Sequence, residues 1–289
     1  MTKLPITVIL AVKNEAANLP RCLAALGPAT RVIILDSQST DASAALALSH
    51  GAEVVQFEYR GGYPKKRQWA LENIVLDTPW VFLLDADEVV PEALWAAVGQ
   101  AIAGEPIADA FMITKGFHFL GQRMRHGGFS HAAVLLFKTG KARFEQLFDD
   151  QLDGLDMEIH ERVVVDGHVA RINAPLIHED FKGLEAYIAR HNKYSTWEAR
   201  LRYRYLRSGQ YGATTITPRW FGNSQERRRA VKVLIIRLPF EQWIWFGYHY
   251  FFRLGFLEGR AGLIASQIRA SYIAQVRAKM FELALRNQM

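Results

Sequence analysis

The chain has 289 residues, of which 50% are hydrophobic, and a formal net charge of +6. This length and composition indicate a globular protein with one large domain, or a domain with an appendage. A single cysteine, Cys22, excludes an internal disulfide framework and any multi-cysteine zinc site, and we expect it to pack in a core.

The first hundred residues alternate short apolar runs with amphipathic stretches of helical length. Four runs are predicted to be strands: ITVILAV (6–12), RVIILD (31–36), AEVVQFE (52–58) and WVFLLDAD (80–87). Continuously apolar strands are typical of a sheet that is covered on both faces. The alternation therefore predicts a Rossmann-like α/β fold, with a mostly parallel sheet and helices on both faces.

Acidic residues follow two of these strands directly. Asp36 closes the second strand, and Asp85 and Asp87 close the fourth, where alternate residues point the same way. Ligands of open α/β sheets bind beyond the carboxyl ends of the strands. Two carboxylates at such an edge favour Mg²⁺ or Mn²⁺, which usually bridges to the phosphates of a substrate. The alternative is that the acids only cap the next helix, which explains Glu88 before Pro91 better than it explains a D-x-D.

The pattern changes after residue 105. Shorter runs between 110 and 177 predict antiparallel or mixed strands, interrupted by a glycine-rich loop (125–131) and an acidic loop (148–161). From Lys182 onward the chain is predicted to be helical. We therefore expect a first domain over residues 1–181, with halves at 1–105 and 106–181, and a helical extension over 182–289.

The segments ITVILAVKNEAANLPRCLAAL, VIILDSQSTDASAALA, GAEVVQF, GGYPKKRQWALE and WVFLLDADEVVPEAL resemble, in order and spacing, the successive blocks of family 2 glycosyltransferases. These are inverting enzymes with an A-type nucleotide-sugar-binding fold. Within the family the chain most resembles bacterial members that extend lipopolysaccharide core or other envelope glycans. The resemblance implies metal-dependent transfer of one sugar from a nucleotide sugar, expected to be a UDP-sugar, to a hydroxyl of a lipid-linked or lipopolysaccharide-type glycan. Residues 1–105 would bind the donor and residues 106–181 the acceptor.

The resemblance also implies roles for individual residues. Asp85 and Asp87 match the metal motif for Mn²⁺ or Mg²⁺, with Asp87 the more direct ligand. His178 is a candidate second ligand or diphosphate contact. The expected donor-binding residues are Ala11, Val12, Asn14, Glu15, Asp36, Lys65, Arg67, Asp85 and Ala86. For Lys65 and Arg67 an ordinary solvated helix face is the alternative.

Inversion by direct displacement needs one base for the acceptor hydroxyl. Glu161, at the end of the acidic loop, lies where related enzymes carry such a carboxylate. The alternatives for this role are Asp149, Asp150 and Asp156. His126 and His131, which flank GGFS, are candidates for lining the acceptor pocket, or are ordinary loop residues.

The C-terminal part is basic and aromatic. From Lys182 to the end there are 19 lysines and arginines against six glutamates, and QWIWFGYHYFF (242–252) is strongly aromatic. Charge alone would suit nucleic acid, anionic lipid or a phosphorylated substrate. No nucleic-acid-binding motif accompanies it, so we expect no nucleic acid partner. No apolar run is long enough to span a bilayer. We expect residues 226–289 to lie on an anionic membrane surface, or otherwise to pack on the core.

The absence of an export signal and this surface place the protein, as an expectation, on the cytoplasmic face of the inner membrane. Two other functions remain open. FLLDADEVV also fits haloacid-dehalogenase-like phosphatases, in which Asp85 would be the nucleophile and Asp87 the acid, although that motif normally lies on the first strand. A catalytically inactive nucleotide-sugar-binding or membrane scaffold protein is the other.

Overall fold

The computed structural model describes residues 3–147, 161–210, 212–214, 217–222 and 224–286. The chain divides into two compact units. Unit 1 comprises Met1–Arg123, Ser130–Glu145 and Asp150–Gly183. Unit 2 comprises Met124–Phe129, Gln146–Asp149 and Leu184–Met289. Two short segments that lie before residue 150 thus group with the C-terminal helices, which no feature of the sequence indicated.

The strands of the described residues are β1 (Leu4–Val12), β2 (Ala29–Asp36), β3 (Glu53–Gln56), β4 (Trp80–Asp85), β5 (Glu88–Val89), β6 (Ala110–Phe119), β7 (Gln122–Arg123), β8 (His131–Lys138), β9 (Ala142–Phe144), β10 (Gln146–Leu147), β11 (Val163–Val165), β12 (Val169–His178) and β13 (Gly212–Thr214). The α-helices are α1 (Leu19–Ala24), α2 (Ser43–Ser49), α3 (Lys66–Asn73), α4 (Glu92–Ile102), α5 (Gly183–Ser208), α6 (Ser224–Arg237), α7 (Glu241–Gly247) and α8 (Gly259–Arg286).

The first four strands form the parallel half of one sheet, in the order β3-β2-β1-β4. Ala11 on β1 aligns with Leu35 on β2 and with Asp85 on β4. The carboxyl ends of these strands therefore meet at one edge, and Asp36 and Asp85 flank the end of β1. The predicted order of strands and helices and the α/β fold class are confirmed.

The sheet continues as β8-β6-β12-β5. β8 is antiparallel to both β4 and β6, whereas β12 runs parallel to β6, so this half is mixed as the sequence predicted. The two-residue strand β5 pairs with the end of β12 and aligns Glu88 with His178. The expectation that Glu88 starts the next helix is wrong, since it lies fully buried in β5 and α4 begins at Glu92, after Pro91.

The sheet of unit 1 is packed with apolar side chains on both faces. Along β4, Phe82 and Leu84 belong to one buried cluster and Val81 and Leu83 to the other, because successive strand residues point to opposite faces. Burial on both faces explains why this run has no polar residue before Asp85. Cys22 is buried in the first cluster, as predicted.

Unit 2 is mainly helical. The C-terminal part, predicted to be helical, is interrupted between α6 and α7, where Phe240 adopts a left-handed backbone conformation with φ 58°. A π-helical turn (Tyr248–Phe252) and a 3₁₀ turn (Gly255–Glu258) then lead into α8. None of the helices in the described residues combines the length and the hydropathy needed to cross a membrane.

Candidate active site

Asp36 organises the loop after β2. Its carboxylate accepts hydrogen bonds from the Ser39 hydroxyl at 2.5 Å and from Gln56 Nε2, at the end of β3, at 2.9 Å. The adjoining loop after β1 is tied to it, because the Asn14 amide donates to Ser39 Oγ at 2.8 Å and the Thr40 amide donates to Asn14 Oδ1 at 2.8 Å. These polar contacts give the two loops a fixed shape at the carboxyl edge of the parallel strands.

The backbone at the end of β1 is buried and accepts a hydrogen bond from a lysine side chain. Ala11 and Val12 are almost inaccessible, and the Lys66 ammonium, which is 1% exposed, donates to the Val12 carbonyl at 3.0 Å. Ala86, after β4, is also buried. These three predicted donor-binding residues therefore lie at the carboxyl ends of β1 and β4. Their side chains are buried, so that any contact with a ligand would come from the backbone.

Asp85 is partly buried between two cations. The Arg67 guanidinium contacts its Oδ1, and Lys115 Nζ lies 2.9 Å from its Oδ2. Burial alone would raise the pKa of the Asp85 carboxyl, but the charges of Arg67 and Lys115 outweigh it and hold that pKa far below its usual range. Asp85 is therefore a carboxylate whose negative charge is balanced within the protein.

Lys115 and Glu88 form the other side of this cluster. Lys115 Nζ lies 2.5 Å from Glu88 Oε1, as an ion pair that lacks the alignment of a hydrogen bond, and the Asp85 amide donates to Glu88 Oε2 at 2.9 Å. Burial raises the pKa of Glu88, an effect that Lys115 opposes. Sequence reasoning missed Lys115; the available signal was a lone lysine within the apolar run of β6.

Asp87 and His178 lie side by side, although they are far apart in the sequence. His178 Nε2 is 3.3 Å from Asp87 Oδ2, and the Glu179 amide donates to the Asp87 carbonyl at 2.9 Å. Burial would lower the pKa of His178, but the charge and hydrogen bond of Asp87 outweigh it and raise that pKa. No group of three or more His, Cys, Asp or Glu side chains in the described residues is placed to hold an ion by itself.

The segment after His178 is fastened to the loop after β1. Lys182 Nζ lies 2.5 Å from Glu15 Oε1, and Arg21 pairs with Glu179 at 2.8 Å while its guanidinium lies 3.9 Å from the centre of the Phe181 ring. Burial raises the pKa of Glu15 despite its bond to Lys182. These contacts fix His178 and Asp87 relative to the end of β1, and only the tertiary structure reveals them.

Lys65 and Glu161 form a buried ion pair. Lys65 Nζ lies 2.9 Å from Glu161 Oε1, and each side chain is 5% exposed. The solvated-face alternative for Lys65 and Arg67 does not hold, since Lys65 is buried and Arg67 contacts Asp85. The candidate base and a candidate diphosphate contact are therefore direct neighbours.

Comparison with known proteins decides what class of enzyme carries this arrangement. The family described as "Glycosyl transferase family 2" matches residues 7–154, just over half of the chain. The chain belongs to glycosyl transferase family 2. The family 2 glycosyltransferase is thus an enzyme, so the alternative of a catalytically inactive scaffold protein is excluded. The alternative of a haloacid-dehalogenase-like phosphatase is excluded as well, because the chain belongs to a different family of enzymes. The position of the D-x-D on the fourth strand agrees with this outcome.

Its relatives include other glycosyltransferases. Lipopolysaccharide core biosynthesis glycosyltransferase LpsC from Rhizobium meliloti (strain 1021) is 28% identical over 68% of this chain and 71% of LpsC. The uncharacterised glycosyltransferase Rv0539 of Mycobacterium tuberculosis (strain ATCC 25618 / H37Rv) is 39% identical over 28% of this chain and 36% of its own length. The resemblance to enzymes of lipopolysaccharide core synthesis is therefore confirmed at the level of the family and of one relative.

Among solved structures, mannosyltransferase PcManGT from Pyrobaculum calidifontis, in complex with GDP-Man and Mn²⁺, is 15% identical and aligns with a TM-score of 0.49 over 97% of this chain and 88% of its own. Glucosyl-3-phosphoglycerate synthase from Mycobacterium tuberculosis is 26% identical over 39% of this chain and 44% of its own, with a TM-score of 0.30. Both TM-scores are below 0.5. The α/β fold of the family 2 glycosyltransferase therefore rests on its own strand order.

The remaining candidates differ in where they lie. Asp149, Asp150 and Asp156 lie outside the described residues. His126 belongs to unit 2, where its Nδ1 lies 2.9 Å from Glu258 Oε1. His131 is exposed at the start of β8 in unit 1. The two histidines of the predicted acceptor loop are therefore members of different units.

Proposed function

We propose that this family 2 glycosyltransferase transfers one sugar, with inversion, from a UDP-sugar to a hydroxyl group of a lipid-linked or lipopolysaccharide-type envelope glycan. The observation that carries the proposal is the pairing of Asp87 with His178 beside the cations Arg67 and Lys115, at the carboxyl edge of β4. Ligands of open α/β sheets bind at such an edge, and the charge of a nucleoside diphosphate is balanced there by a metal ion together with nearby cations.

Donor binding is assigned to the loops after β1 and β2. Asp36 and Asn14 hold these loops in shape, so that the backbone of Ala11 and Val12 and the Glu15 carboxylate face the nucleoside at that edge. Arg67, which Asp85 orients, is assigned to the diphosphate. A guanidinium presents several donors in one plane, which suits phosphate oxygens.

Asp87 and His178 fit a divalent metal ion. A carboxylate oxygen and an imidazole nitrogen 3.3 Å apart offer two donors of the types that Mn²⁺ accepts, and phosphate oxygens and water would complete the coordination. Because these two side chains supply only part of the coordination, binding of the metal ion would depend on the nucleotide. When bound, Mn²⁺ or Mg²⁺ would neutralise charge that develops on the leaving diphosphate. Asp85, with a cation at each oxygen, serves as the anchor for Arg67 rather than as a direct ligand.

Glu161 is assigned as the base. As the acceptor oxygen forms its bond to the anomeric carbon, the bond from that carbon to the diphosphate oxygen breaks, and the acceptor's proton passes to the Glu161 carboxylate. Its partner Lys65 holds the carboxylate in place at 2.9 Å. The nucleoside diphosphate leaves with the electron pair of the broken bond.

Replacing the base tests this assignment. Glu161→Gln should lower kcat about a hundredfold or more with little change in KM for the donor, because the amide cannot accept a proton in its place. Glu105→Gln, which alters an exposed glutamate of unit 1, is the matched control and should keep full activity. Full activity of Glu161→Gln would remove Glu161 from the mechanism.

The acceptor class rests on the relative LpsC, whose name places it in lipopolysaccharide core biosynthesis. A saccharide acceptor of that kind is anchored in a membrane by its lipid, so we infer that the enzyme works at the cytoplasmic face of the inner membrane. Incubation with UDP-sugars and a truncated lipopolysaccharide core should yield an extended glycan. If simple water-soluble acceptors alone were extended, the acceptor class would be wrong.

The surface of unit 2 supports contact with anionic lipid. Phe252 is 77% and Phe240 68% exposed. They belong to a set of ten large apolar or aromatic side chains that are more than a third exposed and are called the apolar corner: Leu238, Phe240, Trp243, Ile244, Tyr248, Phe251, Phe252, Leu254, Phe256 and Leu257. The acids of this region, Glu241 and Glu258, are buried, whereas Arg253 is exposed. A surface with exposed aromatics and exposed positive charge suits the interface of an anionic bilayer.

Vesicle flotation tests the apolar corner. The full chain should float with phosphatidylglycerol vesicles and bind phosphatidylcholine vesicles more weakly. Phe251→Ser with Phe252→Ser should weaken flotation, because two of the exposed aromatic side chains can no longer insert into the interface. Phe281→Ser, which alters an equally exposed phenylalanine on α8, should float normally. Equal loss in both variants, or no flotation of the wild type, would contradict membrane contact through the corner.

A further inference from the structure

Lys115 is a buried lysine at the candidate site to which neither a sequence motif nor the family resemblance gave a role. It lies on β6, between two carboxylates that follow each other on β4 and β5. Its side-chain nitrogen is 2.9 Å from Asp85 Oδ2 and 2.5 Å from Glu88 Oε1. The residue is 8% exposed and Glu88 is fully buried, so this pair is an internal part of the fold.

The cluster restrains Asp85 from three sides. Arg67 contacts Oδ1, Lys115 donates to Oδ2, and Glu88 accepts from the Asp85 backbone amide at 2.9 Å. Asp87, two residues later, faces His178 instead. The two carboxylates of the D-x-D therefore have different environments, one between cations and the other beside an imidazole, although both follow the same strand.

We propose that Lys115 is a positioning residue that withholds Asp85 from the metal ion and keeps it as the anchor of Arg67. The inference rests on the proposed metal site at Asp87 and His178 and adds the device that separates the two acids of the motif. An ammonium on Oδ2 occupies the oxygen that Asp85 would otherwise turn toward a divalent cation. As a result, Asp85 orients the guanidinium of Arg67, whereas Asp87 binds the metal ion.

This role makes a prediction that a merely structural lysine does not make. Lys115→Met frees Asp85 Oδ2, so Mn²⁺ should bind about tenfold more tightly in the presence of UDP, the scale on which neighbours of metal ligands act. Sugar transfer should become slower at the same time, because Arg67 loses its fixed anchor. Loss of a lysine that only stabilised the fold would weaken Mn²⁺ binding or leave it unchanged.

A second variant guards against misfolding and against the change of charge. Lys115→Met combined with Glu88→Gln removes one positive and one negative charge together, and it should show the same tighter binding of Mn²⁺. Adding Asp85→Asn to Lys115→Met should reverse the gain. The control is Lys138→Met, which should bind Mn²⁺ as the wild type does. Lys138 lies on the neighbouring strand β8, and its ammonium is 3.0 Å from the Asp109 carboxylate.

The measurement is titration of free Mn²⁺ by electron paramagnetic resonance with UDP present, beside the melting temperature of each variant. Tighter binding in both Lys115 variants supports the inference; a gain that is absent from the charge-balanced variant, or from both variants, overturns it. Asp87→Ala separates the two levels of the argument. If Asp87→Ala binds Mn²⁺ as the wild type does, the proposed metal site is wrong. If it loses Mn²⁺ while the Lys115 variants show no gain, only the inference about Lys115 is wrong.

Discussion

Three acids lie within four positions at the end of β4, and their neighbours give each a different environment. Asp85 lies between Arg67 and Lys115, Asp87 faces His178, and Glu88 is buried in β5. The sequence predicted that Asp85 and Asp87 would project from the edge of the sheet. It did not distinguish them, because the partners that do so lie on α3, β6 and β12 and are brought together only by the fold.

Glu15 gives a prediction about pH at the scale of one residue. Burial raises its pKa above the ordinary value of 4.5, even though Lys182 and Asn18 oppose this effect. The Glu15 carboxylate therefore binds a proton more tightly in the folded state than in the unfolded state. The stability that Glu15 contributes is complete below pH 4.5 and is lost as the pH rises through the pKa of the folded state.

Glu15→Gln should therefore raise the melting temperature at about pH 8, and this gain should disappear at about pH 4, where Glu15 is protonated in both states. Thermal unfolding of both proteins across this range checks the prediction. A variant that melts below the wild type at the higher pH would show that the ion pair with Lys182 outweighs the cost of burial.

At the scale of elements, α5 and α7 of unit 2 are joined by buried charges. Arg202 on α5 donates to Glu198 at 2.7 and 2.9 Å and to Glu241 on α7 at 2.9 and 3.0 Å, and the Tyr272 hydroxyl donates to Glu198 at 2.5 Å. Burial would lower the pKa of Arg202, but the two glutamates outweigh it and raise that pKa. The arginine is therefore charged, and both glutamates depend on it.

Arg202→Met should lower the free energy of unfolding by about 3–5 kcal/mol, because it leaves two buried carboxylates without their main partner. Urea denaturation followed by circular dichroism measures the change. Arg207→Met, on an exposed position of the same helix, should stay within about 0.5 kcal/mol of the wild type. A small effect at Arg202 would mean that Lys232, 3.0 Å from Glu198, takes over the charge.

The helices of unit 2 show where sequence patterns stop being informative. The helical character of α5 and α8 followed from composition and spacing. Glu198 and Arg202, four residues apart, resemble an ordinary solvated pair in the sequence, yet each is 3% exposed. Their burial depends on Glu241 and Tyr272, which arrive from other helices, and local spacing carries no information about such partners.

At the scale of the whole molecule, the parallel half of the sheet was predictable, whereas the grouping of Met124–Phe129 with the C-terminal helices was not. Continuous apolar runs in β1, β2 and β4 fixed the expectation of a sheet covered on both faces, since such strands have no solvent-facing side. Met124–Phe129 belongs to unit 2 through contacts such as that of His126 with Glu258. These contacts join residues far apart in the chain and leave no periodic signal.

The roles proposed for Asp87, His178 and Glu161 all follow from metal-dependent sugar transfer by unit 1. The most direct test is the release of UDP from UDP-sugars in the presence of a truncated lipopolysaccharide core, with and without Mn²⁺, by the wild type and by Asp87→Ala. Asp77→Ala, at a side chain that is 71% exposed, is the control. We predict that release by the wild type requires Mn²⁺ or Mg²⁺ and falls about a hundredfold or more in Asp87→Ala. Undiminished release by Asp87→Ala would contradict the account.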